Sequence, residues 1–529
     1  MRRQLGWMAV LFLATAAFRF LALSNGFSND HFLHLASAQQ MSYGEWPTRD
    51  FVDPGQPLTI VYSAMAQAIL GRTLFAEAVF VSAAFGVAAA FTFAAVTAMT
   101  GSTWLAVLAS VLEVAVFPRT YGYPKMLVYA FAFWCFARYV AKPSAARLSM
   151  MAASVAVGFL FRHDHGVFLG FAGLLTAMLA PDVAGGKTAM RSALTFGALV
   201  SAMVLPYLAY VQAHGGLGQY VAAGLEYSAR EAGRQGHAWP NPFASEEPLQ
   251  ALLLYELYAI PIVALCAVVM SRGSADSRRL VMPMALMAIP FTFSVVRVPL
   301  LARMPDAVVP AVVLGAFLVG RAWASAPRLR PAGRLVSVAG GVLFSASIFS
   351  VGQPLDALDR AGLMGPALKV PERFVERTRA LTTPLELSQM PGRTAAGLLP
   401  FFEYVNRCTG PDARLLTAGF LPEVSYFARR PYAAGQSTFG PWWGSEKMQQ
   451  MALRRLRSQV VPFVVLPSEY REEFHQRFPL VASYVRLQYA PLAVIDIGED
   501  ESVEILMDSA FSSRGRDEQT GWPCHVTSG

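Results

Sequence analysis

Apolar residues fill the first 351 positions in long runs, with polar residues confined to short breaks between them. Runs of about 17–25 apolar residues are long enough to cross a bilayer as helices. The pattern places such helices near 4–25, 74–100, 103–118, 123–141, 145–161, 165–181, 189–212, 249–271, 279–298, 305–325 and 333–351. That makes about eleven spans. Residues 54–71, "PGQPLTIVYSAMAQAILG", are apolar too, but Pro57 and Gly71 bracket a piece too short to cross, and it reads as a helix lying at the interface. After residue 351 the period shortens. Strand-like "RLLTAG", "VPFVVLP", "LAVIDIG" and "SVEILMD" alternate with helix-like "EKMQQMALRRLRSQ" and "EEFHQRFPLVASYVRL", the pattern of a mixed α/β domain. The expected fold is a polytopic α-helical membrane protein over 1–351, with an external loop at 26–73, followed by an α/β domain over 352–529.

Composition supports that reading. Of 529 residues, 54% are hydrophobic and 15% charged, with a mean hydropathy of +0.40, whereas a soluble domain carries about 25% charged residues. The net charge of +8 does not call for nucleic acid, because basic loops orient membrane proteins. Four cysteines without Cys-x-x-Cys spacing argue against a zinc ribbon or redox motif. The N-terminus has the basic start and apolar run of a signal peptide but no clean Ala-x-Ala site, so it reads as a retained first span.

Charge also sets the sides. With the N-terminus inside, the cytoplasmic segments gather Arg2, Arg3, Arg138, Lys142, Arg147, Lys187, Arg191, Arg272, Arg278, Arg279, Arg321, Arg328, Arg330 and Arg334, opposed only by Asp182 and Asp276. Excess positive charge belongs inside, which puts the 26–73 loop and residues 352–529 outside. Arg19, Glu77, Glu113 and Glu256 fall in the outer parts of their helices. A charge in hydrocarbon is costly, so these four should face a wet cavity or one another. Cys408 and Cys524 would share an oxidising compartment, and their bonding depends on a Cα separation the sequence does not give.

Three external segments carry chemistry. Residues 27–57 hold Asp30, His31, His34, Asp50 and Asp53; "FRHDHG" holds Arg162, His163, Asp164 and His165; "VRVPLLARMPD" holds Arg297, Arg303 and Asp306. A carboxylate placed on a hydroxyl is a general base, and arginine clamps a departing phosphate. Each residue also has a plainer use. Asp30 can cap a helix starting at His31, Asp53 can start a turn before Pro54, Arg162 and Asp164 can pair locally, and Arg303 can sit at a span end. The histidines, with Asp30 or Asp164, could hold a divalent metal, but two scattered pairs do not define a tetrahedral site; no cofactor is expected. Trp442 and Trp443 could stack on a sugar or serve as a core corner. "PDVAGGKT" at 181–188 ends like a P-loop, but Pro181 replaces the first glycine and no strand precedes it.

An N-terminal span, an aspartate opening the first external loop, "RDFVDPGQPL", a short "FRHDHG" link and a late Arg-x-x-Asp in "ARMPD" together resemble bacterial GT-C glycosyltransferases. These polyprenyl-phosphate-sugar-dependent enzymes are related to protein O-mannosyltransferases, aminoarabinose transferases and Rhizobium galacturonosyltransferases. The resemblance covers most of the first 350 residues. It departs from the family's Asp-Glu pair, since His31 follows Asp30. It implies catalysis by Asp30, with Asp53 and Asp164 as further carboxylates, and substrate binding by Arg162, Arg303, Arg297, Asp306, His31, His34, His163 and His165. It implies a polyprenyl-phosphate-linked sugar donor and a glycan, lipid or protein acceptor at the outer face of a bacterial inner membrane. A transporter or flippase for a lipid-linked sugar and a non-catalytic envelope scaffold are the rival readings. Paired halves with broken helices would mark a transporter, and no such symmetry is visible.

Overall fold

The computed structural model describes residues 2–23, 27, 29–180, 186–233, 239–270, 275–296, 301–324, 330–364, 369–382, 397–440, 443–498, 501–510 and 513–525. Its helices begin with α1 (Arg2–Leu21), α2 (Asn29–Ser42), α3 (Pro57–Leu70), α4 (Leu74–Thr100), α5 (Thr103–Ala115), α6 (Tyr123–Ala141), α7 (Ala145–Phe161) and α8 (His163–Leu179). They continue with α9 (Gly186–His214), α10 (Leu217–Gly233), α11 (Pro248–Val269), α12 (Ala275–Val296), α13 (Val308–Ala324), α14 (Arg330–Gly352), α15 (Pro354–Arg360) and α16 (Val370–Thr382).

Seven of these segments are long and apolar enough to cross a membrane: α1, α4, α9, α11, α12, a stretch ending in α13, and α14. The molecule is thus helical in the manner of a polytopic membrane protein. The other four runs read as spans are helices as well, α5 to α8, of 13 to 19 residues. Local signals set several ends. Ser102 caps α5 by accepting from the Leu105 amide at 3.3 Å, and Ser144 does the same for α7 through Arg147. Pro57 opens α3 and Pro248 opens α11, where a missing N–H costs nothing.

The chain divides into two compact units. The first comprises Met1–Leu23, Ala78–Tyr207 and Gln235–Phe374; the second comprises Ser24–Glu77, Leu208–Arg234 and Val375–Gly529. This departs from a boundary at residue 351, because the 26–73 segment packs with the C-terminal part. In the first unit, α7 and α8 form an antiparallel hairpin, α11 lies against α12, and α13 against α14. The hairpin closes tightly because Gly166 has no side chain: a Cβ there would lie 2.3 Å from that of Phe159.

The second unit holds a four-stranded sheet of β1 (Leu415–Thr417), β2 (Phe463–Pro467), β3 (Tyr489–Gly498) and β4 (Glu501–Asp508), in the order β1-β2-β4-β3. β1 and β2 are parallel, and the other pairs are antiparallel. Leu416, Val464, Leu466, Phe474, Phe478 and Val481 form its core. "EEFHQRFPLVASYVRL" breaks at Phe478–Pro479 into two helices, Arg471–Arg477 and Pro479–Gln488, as a proline inside a helical pattern requires. Cys408 and Cys524 form a disulfide, with Cα atoms 4.6 Å apart.

Candidate functional site

In the second unit the chemistry collects around α2. Its helix begins at Asn29, so Asp30 lies in the first turn, not at the cap in front of it. Asp30 is half-buried. His31, one residue on, is fully buried, and its Nε2 lies 2.8 Å from Oε1 of Glu77, also fully buried. Ser63 Oγ donates to the same oxygen at 2.7 Å, and Phe27 stacks on the imidazole at 4.5 Å. His34, a turn later, pairs through Nε2 with Gln56 Oε1 at 2.9 Å.

The far end of α2 is tied down as firmly. Gln39 donates to the carbonyls of Ser425 and Arg430 at 2.8 and 3.1 Å. Gln40 makes a two-way pair with the Tyr432 backbone, donating to its oxygen and accepting from its nitrogen, both at 3.2 Å. Two docked ends hold the helix, and with it Asp30, in one orientation.

Asp53 and Asp50 each accept from backbone amides of their own loop. In "DPGQ", Gly55 takes φ +86°, which the position after Pro54 in a tight turn demands. Asp53 Oδ1 accepts from the amides of Gly55 and Gln56 at 2.9 and 2.8 Å, while Tyr220 donates to Oδ2 at 3.1 Å. Asp50 accepts from the Trp46 amide and from Arg49. The plainer reading of Asp53, a turn former, is the one its contacts express.

In the first unit the α7–α8 link carries the other cluster. Arg162 Nε donates to both oxygens of Asp164 at 2.9 and 3.1 Å, and Asp164 also accepts from the His165 amide at 2.9 Å. His165 is buried, with Nδ1 3.1 Å from the Tyr129 hydroxyl. His163 Nδ1 donates to the Phe159 carbonyl at 2.8 Å, its ring stacked on that of Phe159. Asp306 forms a buried ion pair with Lys125, and a side chain at Gly122 would strike its carboxylate. Arg303 lies half-buried in the short 3-10 turn Leu301–Ala307. Arg297 lies outside the described residues, as does Trp442.

The expectation that Arg19, Glu77, Glu113 and Glu256 share a wet cavity or meet one another is corrected. Glu77 belongs to His31. Arg19 donates to the Pro118 carbonyl at 2.6 Å and lies between the rings of Phe85 and Phe117, 4.1 and 4.2 Å from their centroids. Glu113 is buried beside Thr92. Glu256 alone lines a large cavity, about 1090 Å³ between α5, α11, α13 and α14, whose other walls are mostly apolar. Arg19, Glu77 and Glu113 each have a local partner instead of a common one.

Sequence reasoning passed over three partners that matter here. Lys125, an isolated cation inside a span, was visible as one more intramembrane charge and neutralises Asp306. Tyr129 and Ser63 gave no signal, since a single hydroxyl in an apolar run is unremarkable. Among the described residues, one group of three possible metal ligands converges, Cys408, Asp517 and Cys524, and its two sulfurs are joined in the disulfide. Compared with known proteins, the chain matches no family model and no curated protein.

Proposed function

We propose that this protein is a membrane glycosyltransferase of the GT-C type, moving a sugar from a polyprenyl-phosphate carrier to an acceptor hydroxyl on the outer face of the membrane. One observation carries the reading. α2 presents a half-buried carboxylate, Asp30, from a helix locked by His31–Glu77–Ser63 at one end and by Gln39 and Gln40 at the other. A reacting group works best on a rigid element whose neighbours are themselves held. In the proposed reaction Asp30 accepts the hydroxyl proton as the acceptor oxygen attacks the anomeric carbon. The carbon–oxygen bond to phosphate breaks, polyprenyl phosphate leaves with the electron pair, and the anomeric centre inverts.

The test is Asp30→Asn, which keeps size and removes the base. Mass spectrometry of envelope glycans and lipids from a deletion strain, complemented with wild type or variant, reads the transfer. A general base contributes about 10²–10⁴-fold, so the variant should lose the product at normal expression. Undiminished product from Asp30→Asn would remove Asp30 from the chemistry and leave Asp164 as the better carboxylate.

A further inference from the structure

We infer that the large cavity inside the first unit binds an anionic phospholipid, with acyl chains between α5, α11, α13 and α14 and the phosphate at the α13–α14 link. The cavity has a volume of about 1090 Å³. Its lining on α13 runs from Val312 to Trp323, a rise of about 17 Å along the helix. One leaflet of hydrocarbon is about 15 Å deep, so the cavity has the depth of one lipid's chains.

The walls leave room for those chains. Gly315, Gly333, Gly340 and Gly341 all line the cavity, and a Cβ at any of them would meet no atom within 4 Å. Glycine on a membrane helix commonly lets a neighbouring helix approach; at these four positions nothing approaches. Glycine is also a poor helix former, and what it provides here is space. The hydroxyls on the walls are already used. Ser337 donates to the Gly333 carbonyl and Ser345 to that of Gly341, both at 2.7 Å. Apart from its charged ends, the lining suits hydrocarbon.

Charge sets the direction of the lipid. The ionisable residues on the lining are Arg321 and Glu256. Arg321 and Trp323 lie in the last turn of α13. Arg334 of α14 sits over the Trp323 ring, 5.0 Å from its centroid, and its buried Nε has no hydrogen-bond partner among the described residues. Two spans after α11, α13 runs the same way, so Glu256, in the first half of α11, lies toward the end opposite Arg321. A carboxylate repels a phosphate and arginines hold it, which puts the head at the α13–α14 link. A tryptophan is at home at that headgroup level. The lysine and arginine bias makes this the cytoplasmic end, where basic pockets between spans hold anionic heads. A lipid-carried sugar would be used at the other face, so the lipid lodged here is a separate partner, and its binding does not depend on the transferase reading.

Native mass spectrometry of the delipidated full-length protein in detergent tests the site. The probes are phosphatidylglycerol, phosphatidylethanolamine and phosphatidylcholine with matched chains, and a polyprenyl phosphate. Phosphatidylglycerol should bind at least about tenfold more tightly than either zwitterionic lipid. Arg321→Gln and Arg334→Gln should each lower its affinity about fivefold, the weight of one basic residue at a lipid surface. Gly340→Leu combined with Gly341→Leu should remove binding while both arginines stay in place; should that variant not fold, the arginine variants decide alone. Equal binding of the three phospholipids, a preference indifferent to both arginines, or retained binding in a folded leucine variant overturns the inference and leaves ordinary bilayer lipid in the cavity. Displacement of phosphatidylglycerol by the polyprenyl phosphate also overturns it, by making the cavity a seat for the carrier.

Discussion

Burial pushes the Glu423 carboxyl up to about 8, because solvent cannot reach it and its own backbone amide offsets only part of that loss. It is therefore mostly neutral near pH 7. A carboxyl whose folded value lies above its usual 4.5 binds its proton more tightly in the folded chain. The stability this lends is complete below about pH 4.5 and is lost as pH rises through about 8. Thermal unfolding of wild type and Glu423→Gln across pH 5 to 9 should show the wild type losing midpoint temperature faster, since the amide does not titrate. Parallel profiles would mean the carboxyl is not held neutral by the fold. Nothing in "PEVSYF" announces this, because burial of a single acid is decided by segments far away. Asp53 was more legible: "DPG" is a turn signal wherever it occurs, and its carboxylate does what the local sequence says.

At the scale of elements, every apolar run became a helix, and all four strand-like stretches became strands. Both patterns are local, and both survive any tertiary context that keeps one face dry. What stayed hidden was the setting of α2. "NDHFLHLASAQQMS" lies in the expected external loop, where a helix starting at His31 is one reading, but nothing in it marks His31, Gln39 and Gln40 as buried, which all three are. Their bonds run to Glu77 and to backbone nearly four hundred residues away, partners that no local window contains. The Gln40–Tyr432 pair makes a prediction. Gln40→Ala leaves the Tyr432 amide without its partner, while the carbonyl keeps Arg414, and an orphaned buried group costs about 1–3 kcal/mol. Hydrogen exchange at the Tyr432 amide should accelerate by at least about tenfold. Unchanged protection there would show that α2 is held by packing alone.

For the molecule as a whole, the compact units and the charge pattern speak to the same question by different routes. The second unit is assembled from residues 24–77, 208–234 and 375–529. Direct hydrogen bonds join its pieces: Gln39 to Ser425, Tyr210 to Pro47, Tyr220 to Asp53, and Glu226 to Ser445. Segments bonded in this way must lie in one compartment. The lysine and arginine bias, which knows nothing of those contacts, assigns the same three segments to the outside. Single cysteines at the exposed positions Ser42, Ser228, Ser458 and Ser144 test both arguments, in a background where free Cys135 and Cys266 are serine. A membrane-impermeant thiol reagent should label residues 42, 228 and 458 in intact cells, and residue 144, in the α6–α7 link, only after permeabilisation. A split among the first three would break the unit, because one folded body cannot occupy two compartments. Labelling of all three only after permeabilisation would keep the unit but reverse the orientation. Asp30 would then face the cytoplasm, where a soluble nucleotide-sugar donor is at hand, and the case for a lipid-carried donor would fall with it.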